Sequence, residues 1–238
     1  MDRSIRHDSV AHFHRDGHMI KPQDVPTKSG LETRQAALIN LHTNLEACRR
    51  CTGMQGPPVH GPAVLSPVML IGQAPGTREI EQGRPFCWTA GKTLFGWFAP
   101  LGLDEAAFRE RVLISAVCRC FPGKNPKGGD RVPDRQEVES CRNWWGGELD
   151  LLRPRLIIPV GKLAIAQVMD FRLLNEVIGR QWSYRSPDGW ESDIIPLPHP
   201  SGASTWFKME PGRTLLRQAL ELIAMHPTWR AWMDQRGP

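Results

Sequence analysis

The stretch from Leu70 to Gly91, LIGQAPGTREIEQGRPFCWTAG, constrains this chain more than any other, because a short apolar run there collapses into a loop punctuated by glycine and proline. Val68, Met69, Leu70 and Ile71 are consecutive apolar residues, the pattern of a strand buried on both faces. Gly72, Pro75 and Gly76 break that run, so backbone amides and short side chains gather just beyond the strand's carboxyl end. Open α/β sheets place their ligands at that end, and a pocket is the expected consequence.

The remaining chain repeats the same alternation. Apolar runs at Val112–Val117, Leu156–Val160 and Ile194–Leu197 read as strands, with Pro159 an awkward residue inside the second of these. Helical spacing runs from Leu31 to Ala47, Lys92 to Leu101, Leu163 to Met169 and Arg213 to Met225. Asp134 followed by Glu137 forms the signature of a capped helix start, and the helix it opens carries Cys141, Trp144, Trp145 and Leu149. Strands alternating with helices imply an α/β fold with a mainly parallel sheet.

At 238 residues and 40% hydrophobic content the chain can bury one sizeable core, and no apolar run is long enough to span a bilayer. Residues Met1 to Ser29 lack sustained periodicity, carry Pro22 and Pro26, and read as a flexible leader before a single domain over residues 30–238. The leader has four scattered histidines and no apolar export segment, so a cytoplasmic protein is expected. A formal charge of +5 favours a polyanionic partner.

Six cysteines need an explanation that is not a disulfide framework, since cytoplasmic thiols are kept reduced. Cys48 and Cys51 have the CxxC spacing that grips one ion or one cluster edge, and Cys120 with Cys141 can complete a set of four thiolates. Zinc and an iron–sulfur cluster both accept such a set, and spacing alone puts zinc slightly ahead. Cys87 and Cys118 are expected to pack as small hydrophobes.

Taken together, Cys48-x2-Cys51, GQAPG followed by EQGRPF, the strand ending AVCRCFPG, Cys141 and a late His199-Pro200-Ser201 resemble the iron–sulfur uracil-DNA glycosylases of families 4 and 5. The resemblance runs from about Leu45 to Leu220. It implies a three-layer α/β/α sandwich around a central four-stranded parallel sheet. It also implies a [4Fe-4S] cluster on Cys48, Cys51, Cys120 and Cys141, and hydrolytic removal of uracil from single- and double-stranded DNA that leaves an abasic product; a monomer is expected. Phe86 matches the phenylalanine that stacks on the extruded base, and stacking is worth roughly 1–3 kcal/mol per base. His199 matches the histidine that donates to a uracil carbonyl oxygen as the base leaves as an anion. Gly72 and Ala74 offer main-chain contacts to the base, and Glu79 matches the glutamate that blocks a thymine methyl or, alternatively, is a solvated surface charge. Ser201, Gly202 and Ser204 are positioned for DNA phosphates or for capping the following turn, while Lys124, Lys127 and Arg131 form either a phosphate-tracking loop or a solvated basic one.

Three departures from the family pattern stand out. Gln73 occupies the position where family 4 usually has a glutamate, and Ala74 the position where other branches carry Asp or Asn. An amide can hold a water but cannot take its proton. Ala116 replaces the asparagine with which family 4 reads uracil, a change that looks more like family 5. Gly202-Ala203 stands where relatives carry a bulky wedge, which points to Trp206 or Phe207 for that role.

Overall fold

A computed structural model describes residues 28–126 and 128–234. Residues 1–27 of the expected leader and Lys127 lie outside the described residues, and the last two residues of that leader, Lys28 and Ser29, are helical. The first described helix, α1 (Lys28–Glu46), is followed by β1 (Val68–Gly72), α2 (Thr77–Gln82), α3 (Thr89–Phe98), α4 (Glu105–Arg111) and β2 (Leu113–Ala116). Next come α5 (Arg135–Leu152), β3 (Leu156–Pro159), α6 (Lys162–Val168), α7 (Leu174–Val177) and the hairpin β4 (Trp182–Arg185) and β5 (Glu191–Ile194). Two further helices, α8 (Gly212–Met225) and α9 (Pro227–Asp234), close the described chain.

The sheet order is β2-β1-β3-β5-β4. Its first four strands are parallel, and only β4 runs antiparallel, against β5. The expected four-stranded parallel core is therefore present, and the sheet as a whole is mixed and five-stranded. The extra strand comes from the Ser186–Gly189 turn, which folds Trp182–Arg185 back onto β5. Half-buried Trp182 and Tyr184 alternate with exposed Ser183 and Arg185, as a strand with one solvated face requires. The last parallel strand also begins earlier than its apolar run, at Glu191, and the run itself contributes Ile194, beside Ile157, and a further bridge from Leu197 to Val160.

Register decides where the site forms. Gly72 lies beside Ala116 and Ile71 beside Pro159, so the ends of β1, β2 and β3 arrive at one level. Pro159 is tolerated because it is the last residue of β3: Val160 N–H, not Pro159, donates to Ile71 O, at 2.8 Å. Every residue of β1, β2 and β3 is buried, the expected state of parallel strands covered on both faces. The capped start at Asp134 is realised in full. Glu137 N–H donates to Asp134 Oδ1 at 2.9 Å, and Asp134 N–H returns a bond to Glu137 Oε2 at 2.8 Å.

Candidate active site and cysteine cavity

At the carboxyl end of β1 the Phe86 ring lies directly on the Gly72 backbone. A Cβ at Gly72 would sit 2.9 Å from Phe86 Cζ, so only glycine admits the ring there. Phe86 itself has φ 53°, a left-handed conformation that is costly for an aromatic residue. Arg109 holds it in place. Its Nη1 donates to Pro85 O and its Nη2 to Phe86 O, both at 2.8 Å, while Nε donates to Glu105 Oε1 at 2.9 Å and the guanidinium lies over the Phe95 ring. Gly91 is equally demanded, since a Cβ there would fall 1.8 Å from Phe86 O.

The loop after β1 is tied to the extension of β2. Val117 N–H donates to Gly72 O and Cys118 N–H to Gln73 O, each at 3.0 Å. Gln73 and Ala74 are half-buried, and Ala116 closes the end of β2 with little exposed surface. Glu79 folds back to accept the Gly76 N–H at 3.1 Å, which places its carboxylate on the first turn of α2. Asp130 reaches the same point from another loop. A Cβ at Gly76 would lie 2.9 Å from Glu79 Oε2 and 3.0 Å from Asp130 Oδ2.

His199 packs on Gly161, whose φ of 85° and close approach to the ring both require glycine; a Cβ would sit 2.9 Å from His199 Cδ2. Ser201 N–H donates to His199 Nδ1 at 3.3 Å. That bond makes Nδ1 the acceptor and leaves the imidazole proton on Nε2. Burial lowers the His199 pKa, with the Asp130 charge acting in the opposite direction. The ring is therefore neutral at pH 7, with a donor at Nε2.

The expected DNA-contacting residues divide. Ser201 and Ser204 are half-buried, with Ser204 N–H bonded to Ser201 O, and Gly202 is exposed with open space where a side chain would be. Lys124 donates to Asp130 Oδ1 at 2.7 Å. Arg131 turns inward, to both Glu137 carboxylate oxygens and to Pro122 O. Of the two aromatics expected as wedges, Trp206 bonds Asn175 Oδ1 at 3.0 Å and Phe207 packs edge-on against Trp97. Trp88, two residues beyond Phe86, is 46% exposed, with Arg78 and Lys92 over its ring.

Cys48, Cys51, Cys120 and Cys141 line a single cavity of about 160 Å³. Among the described residues no group of three or more His, Cys, Asp or Glu side chains is placed to hold a metal ion. Burial raises the Cys51 thiol and pushes Cys120 up to about 12, whereas a hydrogen bond from Cys118 holds Cys141 down. Cys118 is fully buried, as expected of a small hydrophobe, but its thiol also bonds that of Cys141. Cys87 is half-buried and donates weakly to Arg78 O at 3.4 Å.

Arg119 and Trp144 also line this cavity. Arg119 Nη2 bonds Ser115 Oγ and the Glu148 carboxylate, while its Nε and Nη1, and Trp144 Nε1, are buried N–H groups without a partner among the described residues. Buried donors of this kind are costly unless an acceptor meets them. Four thiols and three unpartnered donors around one cavity match the needs of an anionic, sulfur-rich group.

Residues 58–224 match the family model described as the uracil DNA glycosylase superfamily. The chain belongs to that superfamily. It is 34% identical to a type-4 uracil-DNA glycosylase of Pyrobaculum aerophilum over 56% of this chain and 65% of that protein. Identity to the type-4 enzyme of Sulfurisphaera tokodaii is 30%, over 57% of this chain and 60% of the relative, and to a type-5 enzyme of Pyrobaculum aerophilum 31%, over 43% and 47%. The chain thus spans somewhat under two thirds of the length of these two type-4 relatives and under half of the type-5 one. In this member of the uracil DNA glycosylase superfamily Gly72, Phe86, Ala116 and His199 lie near the carboxyl edge of the sheet. Arg109 and Gly91 escaped that reading. Nothing local marks Arg109 as a partner of Phe86; only its place on an amphipathic helix start, Asp104-Glu105, hints that it is more than a surface charge.

Proposed function

We propose that this chain is a monofunctional uracil-DNA glycosylase acting on uracil in single- and double-stranded DNA, as a monomer, in cytoplasmic base-excision repair. The observation that carries this reading is the Phe86 ring laid on Gly72 at the end of β1, a flat apolar platform held in a strained conformation by Arg109. A base must leave the duplex to reach such a platform, and stacking repays part of the unstacking cost. His199 Nε2–H then donates to the uracil carbonyl oxygen on which charge develops, and the amides of the Gly72–Gly76 loop contact the base edge. Gln73 positions the attacking water through its amide oxygen. Ser201, Gly202 and Ser204 contact phosphate, and Lys124 and Lys127, with exposed Arg78 and Lys92, supply the cationic surface, while Arg131 is committed to Glu137. Among the described residues no helix is long and apolar enough to cross a membrane.

The four cavity cysteines would hold a [4Fe-4S] cluster, with Arg119 and Trp144 donating to its sulfur atoms. When bound, the cluster supplies a covalent cross-link between the segment after α1, the loop after β2 and α5, and takes no part in breaking the glycosidic bond. Replacing Cys48 by Ala is expected to abolish the brown colour and visible absorbance of the purified protein.

Release of free uracil from single- and double-stranded uracil oligonucleotides tests the main reading. Rapid release by the wild type, slowed roughly 10²–10³-fold by His199→Ala, is the expected result. Tight binding without release would instead make the chain a binder of uracil or abasic DNA, a reading that the Gln73 amide favours. Ala116, which presents no side-chain amide to read uracil, favours a second possibility of broader, family 5-like action on deaminated bases. Assaying hypoxanthine- and xanthine-containing DNA separates the two.

A further inference from the structure

The uracil-excision reading leaves one chemical requirement unmet. The attacking water must lose a proton, and neither Gln73 nor Ala74 can take it. Two carboxylates come to the loop after β1, meeting at Gly76. Glu79 is engaged in capping α2 through the Gly76 N–H. Asp130 is the other, and its route there is built into the backbone. Gly128 and Gly129, with φ of 95° and 76°, reverse the chain; Asn125 N–H bonds Gly129 O at 2.9 Å, and Lys124 pairs with Asp130 across the turn. Lys124 Nζ fixes one carboxylate oxygen, Oδ1, at 2.7 Å, while Oδ2 faces Gly76. Gly76 is required by that approach, since any side chain there would displace the carboxylate.

We propose that Asp130 is the general base of this enzyme, holding the attacking water against the glycine loop and taking its proton, in place of the carboxylate that Gln73 and Ala74 lack. The inference rests on the uracil-excision reading. As the C1′–N1 bond breaks, its electron pair leaves with uracil N1 and the resulting anion is held by His199 Nε2–H. The water oxygen bonds C1′, its proton passes to the Asp130 carboxylate, and the products are free uracil and an abasic sugar with a hydroxyl at C1′. Asp130 then returns the proton to solvent, from which the uracil anion takes one. The charge of Asp130 is also felt at His199, the leaving-group donor. Among the described residues Lys124 and Glu79 are the charged side chains beside Asp130, His199 feels its charge, and its neighbour Arg131 is turned away to Glu137.

The test is single-turnover uracil release at saturating enzyme for Asp130→Asn and Asp130→Ala, with the dissociation constant for uracil-containing DNA and the melting temperature measured alongside. General bases contribute about 10²–10⁴-fold, so both variants are expected to lose at least 100-fold in rate with affinity and melting temperature close to wild type. Added formate, a small carboxylate able to enter the vacated space, is expected to restore part of the rate of the Ala variant and none of the Asn variant. Asp130→Asn releasing uracil within a few-fold of the wild-type rate overturns the proposal, as does a rate loss matched by an equal loss of affinity or fold. A wild-type protein that releases no uracil would instead remove the excision reading on which the proposal rests.

Discussion

At the scale of single residues the base platform depends on a conformation that Phe86 would not adopt unaided. Its left-handed backbone is stabilised because the Arg109 guanidinium satisfies the carbonyls of both Pro85 and Phe86 from one planar group. Replacing Arg109 by Met leaves both carbonyls without that donor in a half-buried site, at a cost of about 1–3 kcal/mol. Arg109→Met is expected to lower the unfolding midpoint in urea and to weaken uracil-DNA binding together, since the same bond maintains both the turn and the ring. Lys at this position should not restore either, because an ammonium lacks the fork that spans two carbonyls.

Individual elements show how local chemistry delivers side chains to the sites. Helix α5 carries Cys141 into the cysteine cavity and Glu148 into the core, and its start is fixed by the reciprocal bonds of Asp134 and Glu137. Arg131 strengthens the start by pairing with Glu137, whose carboxyl it holds below the usual range. The expected phosphate-binding role of Arg131 thus competes with a structural one. Asp134→Ala removes one partner of the capping box and is expected to cost about 1 kcal/mol, read as a shift in urea midpoint with an unchanged slope. The sheet makes a related point. The four residues Trp182–Arg185 were concealed in a turn-rich stretch, and pairing with β5 rather than propensity makes them a strand.

Across the whole molecule one buried network connects the two sites. Glu148, only 1% exposed, accepts from His42 at 2.7 Å and Ser115 at 2.6 Å, and pairs with Arg119. The network therefore joins α1, the strand ending at Ala116, α5 and the cysteine loop. Burial works to raise the Glu148 carboxyl, but Arg119, with His42 and Ser115, holds it at about 2. Because the folded pKa is depressed, the unfolded chain takes up the proton first on acidification. The stabilisation is complete above pH 4.5 and is lost as pH falls towards 2, on the order of 3 kcal/mol in all. Urea unfolding between pH 5.5 and 3 is expected to show this loss, and Glu148→Gln should flatten the pH dependence while lowering stability by about 3–5 kcal/mol at neutral pH, because Arg119 is left as a buried uncompensated charge.

The sequence by itself determined the strand–loop–helix order, the glycine- and proline-broken loop at the end of β1 and the capped start of α5. These follow from hydrophobic period, glycine and proline placement, and short-range capping, all of which act within a few residues or recur along the chain. Tertiary structure alone decided that Arg109 would hold Phe86, that Arg131 would turn to Glu137, that Arg119 and Trp144 would bring buried donors to the cysteine cavity, and that Asp130 would meet Gly76. Apart from Arg131 and Glu137, which are six residues apart, each of those contacts joins segments whose separation in space is set by the sheet register and by loop closure. A guanidinium or a carboxylate carries no local sign of which distant carbonyl, carboxylate or backbone it will meet once the core has packed.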